Sequence, residues 1–273
     1  PHRLLRLRGE RGGARAGDRV VVGDKVRGTG GPQPQQVRAA VVDEPCRLGG
    51  NRSARCEDRR VQLILASASP ARLALLRQAG IEPVVAPTDL DEELLVAAHE
   101  ADHGPLTPHD YVLLLARAKA EALLDQDPLT AFDGLVLGGD SSLELDGAML
   151  GKPHTPERAR ERWLSQRGRS ATLHSGHWML RVRHGRIDDS AGVATATHLD
   201  FSPDIDDAEI DAYVATGEPL EVAGAFTIDG RGAAFIDRID GDPSTVIGMS
   251  IPAVRRLARE LGVAWPALTT TEG

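Results

Sequence analysis

Leu63-Ile64-Leu65-Ala66-Ser67-Ala68-Ser69-Pro70-Ala71-Arg72-Leu73-Ala74-Leu75-Leu76-Arg77-Gln78-Ala79-Gly80 contains, side by side, the two kinds of element that recur along the chain. Residues 63–66 are a short apolar run, which reads as a buried strand. Ser69-Pro70 then opens a helix. Serine serves as the cap whose side-chain oxygen accepts from an unpaired backbone N–H, and proline takes the first helical position, where its missing donor costs nothing. Leu73, Leu76 and Ala79 supply an apolar face, and Gly80 ends the helix.

The alternation continues outward from this unit. Residues 83–86 read as the next strand, and Thr107-Pro108 repeats the cap-and-proline device. The helix that follows carries Tyr111, Leu114, Leu115, Ala118 and Ala122 as its stripe. Residues 134–138 read as a buried strand that ends at Asp140. Residues 143–150 alternate around Asp146-Gly147, a hairpin signal. Thr155-Pro156-Glu157 starts a third helix. Residues 172–182 and 193–201 read as strands on either side of His184-Gly185. Ser202-Pro203 and Gly217 bracket a fourth helix. Residues 223–228 and 233–239 are expected to pair around Gly230-Arg231-Gly232, and residues 252–261 form a final helix. Strands and helices interleave, with hairpins among them. That predicts an α/β fold on a mixed sheet rather than a purely parallel one.

Before Val61 the pattern is different. Residues 1–60 are rich in Gly, Arg, Pro and Gln, without sustained periodicity, and read as a disordered basic tail. They carry 14 Lys and Arg against 7 Asp and Glu, whereas residues 61–273 carry 18 against 33. A translation start called too early is a further reading of this tail, because Val61 can arise from a GTG codon and Glu57-Asp58 would be encoded by purine-rich triplets just upstream. A basic arm for RNA or a partner is the sharper alternative. The acidic body argues against wrapping a nucleic-acid duplex, but not against a small phosphorylated ligand held by a few local cations. No run of 18 apolar residues predicts a membrane span, and no secretory signal is legible, which fits a cytoplasmic protein. Cys46 and Cys56 both lie in the tail, so no disulfide framework holds residues 61–273 together.

Several residue groups can carry chemistry. Ser67, Ser69 and Arg72 stand at a helix N-terminus, where backbone N–H groups attract anions; an ordinary capped helix with a solvated arginine explains them as well. Asp140, after Gly138 and Gly139, is placed where open α/β sheets bind ligands, and could bind a metal or take a proton from water; a turn-capping aspartate is the alternative. Lys152, in Leu150-Gly151-Lys152-Pro153, is outside any P-loop frame. Lys119 is either a phosphate ligand or a surface cation lying along apolar neighbours. The cluster Asp89-Leu90-Asp91-Glu92-Glu93 suits Mg²⁺ or the start of a helix. His174 and His177 are three apart on a strand, face opposite sides and make a poor metal pair. No G-x-S-x-G elbow accompanies Ser175.

Taken together, these segments resemble the Maf family. The matching stretches are SASPARLALLRQAG (67–80), DLDEE (89–93), LARAKAEAL (115–123), VLGGDSSLELDGAMLGKP (136–153) and GEPLEVAGAFTIDGRGAAFIDRIDGDPSTVIGMSIP (217–252), with the resemblance covering about residues 61–262. The resemblance implies a Maf/ITPase-like α/β fold: a mixed sheet flanked by helices, with a cleft between two lobes, and a homodimer in many members. It implies metal-assisted hydrolysis of a nucleoside triphosphate to the monophosphate and diphosphate. Asp140 would be the base and, with Glu92, would hold Mg²⁺ or Mn²⁺, while Ser69, Arg72, Lys119 and Lys152 would bind phosphate. Ala71, Ser141 and Asp229 fall at positions that bear on base choice. Many members carry Arg at the position of Ala71 and Gln at that of Asp229, which removes a bidentate donor in one place and replaces an amide by a pure acceptor in the other. The usual dTTP and UTP preference is therefore open, and a narrow pyrophosphatase for pyrimidine or methylated guanine nucleotides is one alternative. A non-catalytic regulator of septum formation is another.

Overall fold

The computed structural model describes residues 18–20, 60–124, 129 and 131–269. The expectations for the tail therefore lie almost wholly outside the described residues. Asp18–Val20 is a three-residue strand, β1, paired in parallel with residues 190–192.

The expected mixed sheet forms. Strand β2 (Gln62–Ala66) runs parallel to β3 (Val84–Val85) on one side and to β4 (Gly134–Leu145) on the other. β4 continues as an antiparallel partner of β6 (Ser170–Arg183), and β6 as a partner of β7 (Arg186–Phe201). The spatial order is β1-β7-β6-β4-β2-β3. β5 (Ala148–Leu150) pairs with the far end of β4, and β8 (Ile236–Asp240) with the far end of β7. The hairpins read at Asp146-Gly147 and His184-Gly185 are present: Asp146 and Gly147 have φ of 53° and 80°, His184 and Gly185 of 49° and 70°. Two successive positive values match the right-handed twist of the flanking strands.

Alternation along β4 divides the packing. Leu135 and Leu137 face a core completed by helices α1 (Pro70–Gln78) and α7 (Ile251–Glu260), while Val136 faces helix α3 (Pro108–Glu121). The far half of the sheet has its own core under helices α4 (Pro156–Gln166) and α5 (Asp207–Ala215). Trp163, fully buried there, meets Phe201, Tyr213 and Phe235 edge to face and donates from its indole nitrogen to Ala225 O at 2.7 Å. Two lobes thus share three long strands.

Helix α3 lies unusually close to the sheet, and two glycines permit it. A Cβ on Gly138 would come within 2.1 Å of Ala116 O, and one on Gly176 within 2.2 Å of Val112 O. The room left by Gly138 is filled by helix backbone, while Gly139 is covered by the Arg72 side chain.

Several elements differ from expectation. β4 does not end at Asp140 but runs on to Leu145, with Asp140 opposite Gly176. The hairpin expected over 223–239 is absent: Ala223–Ala225 and Arg231–Phe235 are 3₁₀ turns, and β8 pairs with β7 instead. Glu218 explains part of this. Its carboxylate accepts from Arg231 N at 3.1 Å and Gly232 N at 3.0 Å, satisfying donors that a partner strand would have taken. The fourth helix starts at Asp206 rather than Ser202, because Asp206 and Glu209 form a reciprocal capping box. Helices α2 (Glu92–His103) and α6 (Pro243–Ile247) were not expected; α2 has no fully buried residue, and its half-buried stripe mixes Leu95 and Val96 with Glu92 and His99.

His177 ties the sheet to α7. Its Nε2 accepts from Ser250 N at 2.8 Å, which assigns the proton to Nδ1, facing Val193 O at 3.3 Å. Burial pushes the ring down to about 4, with the Val193 bond opposing only in part. Between the ordinary histidine value and about 4 the unfolded chain binds a proton that the folded chain refuses, so stability falls as pH drops through that window. Urea unfolding at pH 7 and pH 4.5 should show wild type losing on the order of 2 kcal/mol more than His177→Gln; equal losses would contradict this. Gly138→Ala should destabilise by at least ~2 kcal/mol, since the clash is with backbone, and an unchanged urea midpoint would show that α3 can yield.

Candidate active site

β2 ends at Ala66, opposite Gly138, while β4 continues. Asp140 therefore stands beyond the carboxyl end of its parallel neighbour, the position at which open sheets admit ligands. A cleft of about 510 Å³ opens there, lined from one lobe by the β2–α1 turn, the start of α2 and α3, and from the other by residues 151–154 and 221–227.

Asp140 is only 7% exposed. Lys119, delivered by the close approach of α3, donates to its Oδ1 at 2.6 Å and pairs with Glu92 Oε1 at 2.7 Å. One ammonium thus joins two carboxylates. Burial pushes the Asp140 carboxyl up, while Lys119 and then Arg72 pull it down and Glu92 pushes it further up; the net direction is upward. Within the acidic cluster, Asp91 caps α2 by accepting from Leu94 N at 2.9 Å, and Glu92 is the member that reaches Lys119.

Arg72 lies on the other face of β4, over Gly139, and is 8% exposed. Its Nε donates to Gly248 O at 2.9 Å, one terminal nitrogen to Ser67 Oγ at 3.0 Å and the other to Ser141 Oγ at 3.0 Å. Those three bonds fix the plane of the guanidinium and leave one N–H on each terminal nitrogen for a ligand. Burial lowers its pKa, Asp140 and Glu92 oppose that, and the group stays charged at any working pH. Gly248 has a φ of 127°, a conformation that disfavours other residues, and its carbonyl also accepts from Ser141 Oγ at 3.2 Å.

Ser69 caps α1, accepting from Arg72 N at 3.4 Å, and lines the cleft with Ala71. Lys152 faces them from the far lobe and is held only loosely, 3.7 Å from Glu221 Oε2. Ser141 lines the cleft, but its hydroxyl is engaged by Arg72, Gly248 and Ser175. Asp229 does not line the cleft; it is exposed and accepts from Thr227 Oγ1 in its own turn. His174 pairs with Glu144 at 2.7 Å and His177 with Ser250 and Val193, so the two histidines do not converge.

Sequence reasoning missed Tyr111, Glu221, Phe226 and the Gly248 carbonyl, all of which line the cleft. A backbone carbonyl has no residue-type signature, Phe226 belongs to a segment expected to be a strand, and Glu221 lies just before it, where no element was expected. Tyr111 was assigned to a helix stripe. Its hydroxyl is pushed up by burial and then by the Asp140 and Glu92 charges, so it remains protonated.

The lining carries Arg72, Lys119 and Lys152 against Asp91, Glu92, Glu93, Asp140 and Glu221. Carboxylates outnumber fixed cations, so a polyanion could enter only with added positive charge. Among the described residues no group of three or more His, Cys, Asp or Glu forms a metal cage. Two carboxylates meeting at one cation nevertheless fit Mg²⁺ or Mn²⁺, which is commonly held by one or two carboxylates with water and phosphate completing the shell.

Comparison with known proteins converges on one family. The family described as "Maf-like protein" matches residues 62–261. The chain is 57% identical over 216 residues to a protein of Leifsonia xyli named nucleoside triphosphate pyrophosphatase, covering 78% of this chain and 99% of that protein. It is 52% identical over 201 residues to a protein of the same name from Nocardia farcinica, covering 74% and 93%. Among solved structures, the Staphylococcus aureus Ham1 protein overlaps with a TM-score of 0.32 at 14% identity, over 52% of this chain and 72% of its own, too slight a likeness to carry weight. A profile spanning most of the described residues and relatives at this identity lead to one conclusion: the chain belongs to the Maf-like protein family.

Proposed function

We propose that this chain is a nucleoside triphosphate pyrophosphatase, hydrolysing its substrate between the α and β phosphates to a nucleoside monophosphate and diphosphate. The observation that carries the reading is Asp140, a nearly buried carboxylate on the wall of a cleft, flanked by Lys119, Glu92 and Arg72. A regulator that only bound nucleotide would have no use for a carboxylate kept in so costly a place. Glu92 and Asp140 would hold the divalent ion, which when bound offsets phosphate charge and favours an attacking water.

The chain's own groups do the rest. Arg72, through its two remaining N–H groups, and Lys119 and Lys152 bind phosphate oxygens, which suits a triphosphate of about four negative charges. Asp140 orients a water and takes its proton; the upward push of burial on its pKa makes it a better base than an exposed carboxylate. The water oxygen bonds to the α phosphorus as the bond from that phosphorus to the bridging oxygen breaks, and diphosphate leaves with the electron pair. Lys152 and Arg72 stabilise the charge gathering on it. Ala71 lies where a bulkier side chain would narrow the cleft, and Ser141 acts through Arg72. No helix of the described residues is long and apolar enough to cross a membrane, and a nucleotide substrate suits the cytoplasm.

The test is to incubate the protein with canonical and modified triphosphates plus Mg²⁺ or Mn²⁺. Monophosphate and diphosphate should appear in equal amounts, and chelation should stop the reaction. Release of orthophosphate would place attack at the γ position and overturn the reading. Asp140→Asn should lower kcat by about 10²–10⁴-fold with an unchanged circular dichroism spectrum. Near-normal turnover in that variant would remove Asp140 from the chemistry.

A further inference from the structure

We propose that Lys119 is a resident counter-cation that makes binding of the divalent ion conditional on the triphosphate. The inference rests on the hydrolase reading above and adds an order of events to it. The Lys119 ammonium stands 2.6 Å from Asp140 Oδ1 and 2.7 Å from Glu92 Oε1. Those are the two carboxylates that would hold the metal. A hard divalent ion binds oxygen at roughly 2.0–2.1 Å, so an ion bonded to both oxygens would need the place Nζ occupies. The two cations also repel each other. Metal binding through these two oxygens therefore requires the ammonium to leave.

Where it can go decides the order. The Lys119 side chain is 13% exposed and that of Asp140 10%, so neither charge is free to exchange its partner for bulk water. An ammonium expelled from the carboxylates without another anion would be a buried, unpaired charge. The carboxylates nearest to it are the ones the metal has taken. A phosphate entering the cleft gives Lys119 a new partner while also completing the metal's shell. Each ligand thereby removes the cost of the other, and the coupling must be reciprocal. Alone, the carboxylates keep the Lys119 ammonium between them, which keeps the site from being metal-loaded at rest.

Arg72 does not share this role. All three of its nitrogens are bonded to Ser67, Ser141 and Gly248, so its charge stays where it is. Lys152, 51% exposed and 3.7 Å from Glu221, moves without such a penalty. Of the three cations, Lys119 is the one whose position conflicts with the metal's.

Mn²⁺ binding to the full-length protein, followed by electron paramagnetic resonance of the free ion, tests this. Titrations are run with and without α,β-methylene triphosphates of uridine, thymidine and guanosine, and corrected for the Mn²⁺ these bind in solution. Wild type should bind Mn²⁺ weakly alone and about 5–150-fold more tightly with a fitting analogue. Lys119→Met should bind Mn²⁺ alone at least tenfold more tightly than wild type, with the coupling reduced towards one. The double variant Lys119→Met/Asp140→Asn should lose that gain, which locates it at this site. Equal Mn²⁺ affinity in wild type and Lys119→Met, or wild-type affinity indifferent to a bound analogue, overturns the proposal. If Lys119→Met fails to fold, the wild-type comparison decides alone. Failure of every analogue to bind would count against the hydrolase reading, while the metal-only comparison of the two proteins would still judge Lys119.

Discussion

A carboxylate removed from water has to be given counter-charge, and the central part of this molecule is arranged to supply it to Asp140. An isolated buried carboxylate would cost several kcal/mol or take up a proton. Asp140 is instead met by Lys119, with Arg72 behind it across β4. Each cation depends on a separate structural provision. Lys119 arrives because Gly138 and Gly176 let the α3 backbone settle against the sheet. Arg72 is held because the turn before α1, the hydroxyl of Ser141 and the carbonyl of Gly248 each take one of its nitrogens. Remove either provision and the carboxylate loses part of its support.

The same arrangement gives the cleft its chemistry. Charge is concentrated on the wall that belongs to the near lobe, and Arg72 there is fixed before any ligand arrives, which is the condition for electrostatic stabilisation to act without reorganisation. The far lobe contributes an exposed cation, Lys152, on a segment held by Gly224 N donating to Gly151 O at 3.1 Å and His154 N donating to Leu220 O at 2.9 Å. A rigid wall opposite a more exposed arm suits a ligand whose phosphates are gripped on one side and covered from the other.

Much of this was legible in the residues. Each strand–cap–proline–helix unit announces itself, because Ser69, Thr107 and Thr155 pair a side-chain acceptor with a proline where only a helix start tolerates both. Ser69, Arg72, Glu92, Lys119, Asp140 and Lys152 are brought to one cleft as the motifs implied. What stayed hidden depends on tertiary contact. Gly138 reads locally as the end of a strand, yet it continues the strand because a helix lies against it. Residues 223–239 alternate well enough for a hairpin, but Glu218 takes their N–H groups, and Gly224 and Ala225 adopt positive φ. Helix α2 buries no residue fully, and its half-buried stripe mixes Leu95 and Val96 with Glu92 and His99, so its apolar period is faint. Asp229 was assigned to base choice through resemblance alone, and it lies off the cleft wall.

The proposed hydrolysis turns on the buried ions setting the α phosphorus, rather than any other, in front of a water held by Asp140. Single-turnover hydrolysis in ¹⁸O-labelled water, with both products analysed by mass spectrometry, measures this most directly. One labelled oxygen in the monophosphate and none in the diphosphate is the predicted result. Label in the diphosphate would place the attack on the β phosphorus and contradict the assignment of the cleft.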